Sequence, residues 1–189
     1  QLAARGELLT LSRYPIVGQP PVGPAADLPS DAGFAREYTA TKVLRTDVAV
    51  GGRVLSAYNV HLPVQVNLEL TADFLDFVAD RDAARRAQLR GLDRDLDANR
   101  NPVLVAGDLN TTPAMGDLRG LRGRLRDATV AADDPYPVSW PADGPVTAWR
   151  LDWVFTSAGT VVHRYRLTDP GGLSDHRPQE LLISLEEER

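Results

Sequence analysis

Four short segments of this chain place proton-transferring or metal-friendly side chains at the ends of apolar stretches: Asn59-Val60-His61-Leu62, Gly107-Asp108-Leu109-Asn110, Leu151-Asp152-Trp153-Val154-Phe155 and Ser174-Asp175-His176-Arg177-Pro178. Strand ends and the loops that follow them are where α/β folds collect active-site residues. Asp108 and Asn110 leave the apolar run Pro102-Val103-Leu104-Val105-Ala106 as the backbone turns, and Asn59 and His61 point to one side of a strand. Asp152 is an acidic residue inside an apolar strand, so it needs a partner such as a histidine or arginine if it is buried. Together with Asp175 and His176 these residues supply the components of metal-assisted hydrolysis. They are carboxylates for a hard divalent cation, an imidazole for proton transfer or phosphate binding, and a carboxylate to orient that imidazole. Each segment also has a plainer reading. Asp-x-Asn after a strand is a turn signal, and Asn59 and His61 could sit on a half-exposed strand.

Composition narrows the chemistry. The 189 residues contain no cysteine, which removes disulfides, zinc-thiolate sites and cysteine nucleophiles. With 43% hydrophobic and 25% charged residues the chain has ordinary globular usage, and its length suits one domain over residues 1–189. A net charge of -5 is a poor match for nonspecific binding to duplex DNA, which depends on neutralising phosphates. No apolar run approaches the roughly 18 residues that span a bilayer, and the first residues lack a signal-peptide pattern.

The elements that must position these groups follow from periodicity. Residues 7–12 read as a strand and residues 15–33, rich in Pro and Gly, as a long connection. Residues 36–50 and 53–62 read as antiparallel strands around the Gly51-Gly52 turn. The second alternates, with Leu55, Ala57, Asn59 and His61 on one side and Val54, Ser56, Tyr58, Val60 and Leu62 on the other. Between Asn67 and Asn99 the positions Leu70, Phe74, Leu75, Val78, Leu89, Leu92 and Leu96 recur at helical spacing, ending where Asn caps and Pro102 follows. Residues 102–107 read as a strand buried on both faces. A short helix within residues 114–125, a Pro-rich and Trp-containing connection over 133–149, and strands over 151–156, 161–167 and 179–185 complete an α/β pattern. His163 reads as an ordinary edge position, Trp140 and Trp149 as packing residues rather than pocket walls, and Glu186-Glu187-Glu188 as a solvated tail.

Taken in order, LSRYPI, NVHLPV, VLVAGDLNTTP, RLDWVF and SDHRP resemble the successive motifs of the endonuclease/exonuclease/phosphatase superfamily, over nearly the whole chain. Within it the chain is most similar to bacterial membrane-tethered phosphoesterases of the glycopeptide-resistance type, a likeness carried by Arg85-Arg86-Ala87-Gln88-Leu89 and Ser139-Trp140-Pro141. The resemblance implies a DNase I-like α/β fold, a two-sheet αββα sandwich. It also implies a magnesium-dependent phosphoesterase, with manganese as the alternative ion, in which water attacks phosphorus in line. By resemblance Asp108 orients or deprotonates that water and Asn110 positions it. His176 is the principal catalytic histidine, held in its tautomer by Asp152, and His61 contacts the phosphate or protonates the leaving oxygen. Asp175, with Asp108 and Asn110, contributes to the metal site.

Members of the superfamily also carry an Asn and a metal-binding Glu upstream of the LSRYPI segment. This chain has neither, and Glu7 stands at the wrong point in the motif order to serve as metal ligand. The expectation is therefore an N-terminally incomplete domain, its C-terminal two-thirds, binding magnesium weakly and turning over slowly or not at all. The substrate expected is a small or lipid-linked phosphoester, with a DNA or RNA nuclease and a noncatalytic remnant or binding module as the alternatives. The expected form is a monomer whose parent is extracytoplasmic or membrane-tethered, meeting a membrane only through an upstream anchor or a lipid substrate.

Overall fold

The computed structural model describes residues 1–65, 74–142 and 148–186. The chain divides into two compact units, Gln1–Asn101 and Pro102–Arg189. The mixed α/β class expected from the sequence is the one observed.

In the first unit, strands β1 (Leu2–Arg5) and β2 (Leu8–Leu11) form an antiparallel hairpin whose turn passes through Gly6 at φ +58°. Strand β3 (Ile16–Gly18) and a 3-10 turn at Gly23–Asp27 follow, so the stretch read as a long connection contains structure. Residues 36–50, expected as one strand, are instead split between helix α1 (Phe34–Ala40) and strand β4 (Val43–Val50). Local helical contacts override the β-favouring composition there. Phe34 and Tyr38 meet at i, i+4 with ring centroids 6.0 Å apart, and Thr39 Oγ1 donates to the Ala35 carbonyl at 2.9 Å. Strand β4 pairs antiparallel with β3 and with β5 (Arg53–His61) across the Gly51-Gly52 turn. The expected alternation in β5 holds from Ser56 onward, where Ser56, Tyr58, Val60 and the following Leu62 are buried and Ala57, Asn59 and His61 less so; before it the pattern is reversed, with Leu55 buried and Val54 half-buried.

Helix α2 (Phe74–Ala98) ends as expected, the Asn99 side chain accepting from the Asn101 amide at 3.0 Å, but its buried face is not the apolar one the periodicity predicts: Arg85, Gln88 and Gly91 are buried with Leu92, and Leu75 is exposed. The predicted start, Asn67 to Leu70, lies outside the described residues, as do residues 143–147 and the tail residues Glu187 and Glu188. A buried polar network fastens α2 to the strands. Arg45 binds Asp47 at 2.9 Å and Asp95 at 3.1 Å, and the Tyr58 hydroxyl donates to Asp95 at 2.6 Å. Arg85, 1% exposed, reaches back to the Pro63 carbonyl at 2.7 Å and so pins the chain just beyond His61.

Gly91 of α2 touches the turn at Gly23 so closely that a Cβ added at Gly91 would stand 2.2 Å from Gly23 Cα. Backbone cannot swing aside as a flexible side chain does. Gly91→Ala is therefore expected to destabilise the protein by about 1–3 kcal/mol. Urea denaturation checks this, and a variant as stable as the wild type would refute it.

In the second unit, strand β6 (Val103–Asp108) pairs antiparallel with β8 (Asp152–Thr156), which pairs on its other side with the short β7 (Arg126–Asp127). Strand β6 is not buried on both faces as its apolar run suggests. Val103 and Val105 are buried, whereas Leu104 and Ala106 on the other face are half-buried against a core of Ala128, Val154 and Tyr165. A 3-10 turn at Gly116–Leu118 leads into helix α3 (Arg119–Arg124), within the range expected for a short helix. Strands β9 (Thr160–Leu167) and β10 (Gln179–Leu185) form an antiparallel pair with a register shift at Leu182/Ile183. His163 is exposed on β9, 2.7 Å from Ser184 Oγ, in keeping with an edge position. Among the described residues no helix is long and apolar enough to cross a membrane.

Candidate active site

The register of β6 against β8 places Asp108 directly opposite Asp152. Directly opposed residues of an antiparallel pair project from the same face, and like charges in that position repel. A fold selected for stability alone would not keep two carboxylates there. The arrangement calls for a cation between or beside them.

His176 supplies one. Its Nδ1 lies 2.7 Å from Asp152 Oδ2, and its Nε2 lies 3.9 Å from Asp108 Oδ2, too far for a direct hydrogen bond. With Nδ1–H donating to Asp152, Nε2 is turned toward the Asp108 side of the site. The bond to Asp152 raises the His176 pKa above the ordinary imidazole value. Partial burial opposes the shift, and the charges of Asp152, Asp108 and Asp175 reinforce it.

Asp152, 8% exposed, is fixed from behind. The fully buried Ser139 hydroxyl accepts from the backbone amides of Leu151 at 3.1 Å and Asp152 at 3.2 Å. Ser139 also holds the histidine segment, since its carbonyl accepts from the Arg177 amide at 2.9 Å, while Ala142 N donates to the Asp175 carbonyl at 2.7 Å. Sequence reasoning passed over Ser139 as a functional residue. A serine two residues ahead of the Pro in Ser139-Trp140-Pro141 carries no signal of its own, and only folding brings it beneath Asp152.

Asp108 is held by Asn110, whose backbone amide donates to Oδ1 at 2.7 Å and whose side-chain amide donates to Oδ2 at 3.0 Å. Asn110 can close this loop because its backbone adopts φ +45°, a left-handed conformation that Asn tolerates better than most residues. Trp153 anchors the loop, its indole N–H donating to the Thr111 carbonyl at 2.7 Å.

Among the described residues, Asp108, Asp152 and His176 form a group whose ligand atoms all lie within 4.8 Å of one another. Two carboxylates with waters are a usual donor set for a hard divalent cation, so the residues present fit one. Asp175 is not in that group. Its Oδ2 accepts from Trp140 Nε1 at 2.9 Å, a bond that, ahead of partial burial, holds its carboxyl below the usual range. The Trp140 ring centroid lies 6.3 Å from that of His176, and Trp149, half exposed, bridges to Trp140 through the backbone.

His61 is carried by the first unit, exposed at the end of β5. Its Nδ1 lies 3.2 Å from Glu7 Oε1, and Lys42 donates to the same oxygen. Glu7 thus stands beside an imidazole, a place its position in the sequence did not indicate. Asn59, on the same face, donates to the Leu9 carbonyl at 3.0 Å.

The raised pKa of His176 has a consequence in the metal-free protein. The folded state holds the His176 proton more tightly than the unfolded chain does. The pairing therefore stabilises the fold fully below the unfolded value, near 6.5, and this contribution disappears as pH rises through the folded value. In chelator, the melting-temperature difference between wild type and His176→Gln should shrink from pH 5.5 to pH 8.5. A constant difference across that range would contradict the pairing.

The chain matches the Endonuclease/Exonuclease/phosphatase family over residues 3–176. No match was found among curated proteins. Among solved structures it is similar to a mannosyl-6-phosphatase of Bacteroides thetaiotaomicron VPI-5482, with TM-score 0.63 and 16% identity over 91% of this chain and 67% of that one. It is similar to an endonuclease/exonuclease/phosphatase of Beutenbergia cavernae DSM 12333, with TM-score 0.63 and 22% identity over 92% and 46% of the two chains. It is also similar to the sphingomyelinase C of Streptomyces griseocarneus, with TM-score 0.59 and 22% identity over 92% and 66%. The chain thus spans 46% to 67% of the length of these three structures. A match over residues 3–176, joined to the Asp108, Asp152 and His176 constellation and the shared fold, places this chain in the endonuclease/exonuclease/phosphatase family.

Proposed function

We propose that this chain is a metal-dependent phosphoester hydrolase that directs water onto phosphorus at the Asp108, Asp152 and His176 site. The observation that carries the reading is the opposed Asp108–Asp152 pair with His176 bonded to one member and facing the other. Asp108, with both oxygens held by Asn110, is placed to orient the attacking water. His176, protonated at Nδ1 toward Asp152, presents Nε2 to a phosphoryl oxygen, where an N–H donor stabilises developing charge. Asp152 keeps the tautomer and balances the imidazolium. A hard divalent ion held by Asp108 and Asp152, magnesium in this proposal, would supply Lewis-acid stabilisation of charge on the phosphoryl oxygens.

The proposed substrate is a small or lipid-linked phosphoester. A net charge of -5 supports it over a nucleic-acid polymer, and two similar structures are a mannosyl-6-phosphatase and a sphingomyelinase C. The test is calorimetric titration with magnesium beside hydrolysis of bis-p-nitrophenyl phosphate, using His176→Ala as the comparison. Metal-stimulated turnover that is lost in His176→Ala is the expected result. Turnover equal in the two proteins, or unaffected by chelation, would end the proposal. Plasmid nicking beside release of phosphate from a lipid phosphoester then separates the substrate classes.

A further inference from the structure

Lys42 is the only lysine among 21 basic residues, and it is 7% exposed. A buried ammonium is expensive unless it is paired, and a buried pair adds little stability over an apolar one of the same size. Its surroundings give it a different use. The Lys42 ammonium lies 4.0 Å from the centroid of the Tyr38 ring and donates to Glu7 Oε1, the oxygen that also faces His61 Nδ1. The Lys42 carbonyl accepts from the His61 backbone amide at 3.0 Å, so the two residues are neighbours across the β4–β5 ladder. Burial works against the charged carboxylate, but the bond from Lys42 leads the interactions that outweigh it and hold Glu7 below the usual carboxylate range. A compact ammonium over a ring face, aimed at one oxygen, suits lysine better than the broad planar fork of arginine.

We propose that Lys42, with its ammonium held over the Tyr38 ring, is a positioning residue for His61: by fixing Glu7 Oε1 against Nδ1 it keeps the proton of the neutral imidazole on Nδ1 and so sets the chemistry of Nε2. An unheld imidazole exchanges between its two tautomers, and only one of them leaves Nε2 as an acceptor. Lys42 thus acts at one remove, through a carboxylate, and touches no reacting atom.

The test uses the full chain with 15N-labelled histidine. Long-range 1H–15N spectra report the tautomer of each imidazole, and His61 is assigned by comparison with His61→Gln. At a pH where His61 is neutral, the wild type is expected to show the Nδ1–H form. Lys42→Met should shift it to a mixture containing the Nε2–H form, and Tyr38→Leu, which removes the ring beneath the ammonium, should produce a smaller shift the same way. A folded Lys42→Met with the wild-type tautomer would overturn the inference, because the residue would then act only on the fold. If Lys42→Met does not fold, an unmoved tautomer in Tyr38→Leu overturns it equally.

Discussion

Asp152→Asn is expected to lower kcat for phosphoester hydrolysis by on the order of 100-fold or more, equivalent to roughly 2.7 kcal/mol of barrier, while the protein remains folded. The substitution is nearly isosteric, and the backbone amide of residue 152 still donates to Ser139 Oγ. What it removes is charge. The bond to Asp152 is the leading cause of the raised His176 pKa, so the metal-free variant should titrate His176 at lower pH than the wild type. It also loses one member of an opposed carboxylate pair, which relieves repulsion with Asp108. At pH 8.5, where the His176 pairing contributes least, loss of activity should therefore come without a matching loss of stability, a combination typical of residues kept for function. Steady-state kinetics and a histidine NMR titration check both parts. A variant within threefold of wild-type kcat would remove Asp152 from the mechanism.

Trp153→Ala is the substitution expected to cost most stability, about 3–5 kcal/mol. The side chain is fully buried and stacks on Phe155 with centroids 5.6 Å apart and planes within 3°. The Arg150 guanidinium covers its ring at 3.7 Å, and its indole N–H holds the loop that follows Asp108 through Thr111. Trp153→Phe divides these contributions. It keeps an aromatic ring beneath Arg150 but removes the indole bond to the Thr111 carbonyl, at about 0.5–1.5 kcal/mol. It should lower kcat as well, because the Asp108–Asn110 loop loses its anchor. Urea denaturation of the two variants measures the ladder, and a Trp153→Ala loss below 1 kcal/mol would show that the indole is not the keystone of this strand.

Alternation in β5 from Ser56 onward and the helical state of α2 are local properties and appear as the side-chain pattern requires, whereas the apolar run of β6 marked the strand but not its burial, since Leu104 and Ala106 are only half covered. Helix α1 was hidden because Tyr38, Thr39 and Thr41 favour strands by composition; the Phe34–Tyr38 contact that settles the matter is a helical one. The stretch before it was hidden for a different reason. Pro and Gly mark where regular structure stops, and say nothing of the short strand β3 or of the turn that Gly23 makes beneath Gly91.

Residue types and their order along the chain determined the chemistry available to this protein: carboxylates, an amide and imidazoles at strand ends, no thiols, and a succession of motifs that resembles one family. Tertiary structure alone decided which of them meet. Register set Asp108 opposite Asp152, Ser139 locked the strand start on which Asp152 sits, and Asp175 went to Trp140 rather than into the carboxylate group. Glu7 gained His61 and Lys42 as partners across more than thirty residues of chain. Spacing can specify which face a side chain takes within its own strand or helix. Its partner in a distant segment is set by ladder register and loop closure, which depend on the packing of the folded chain.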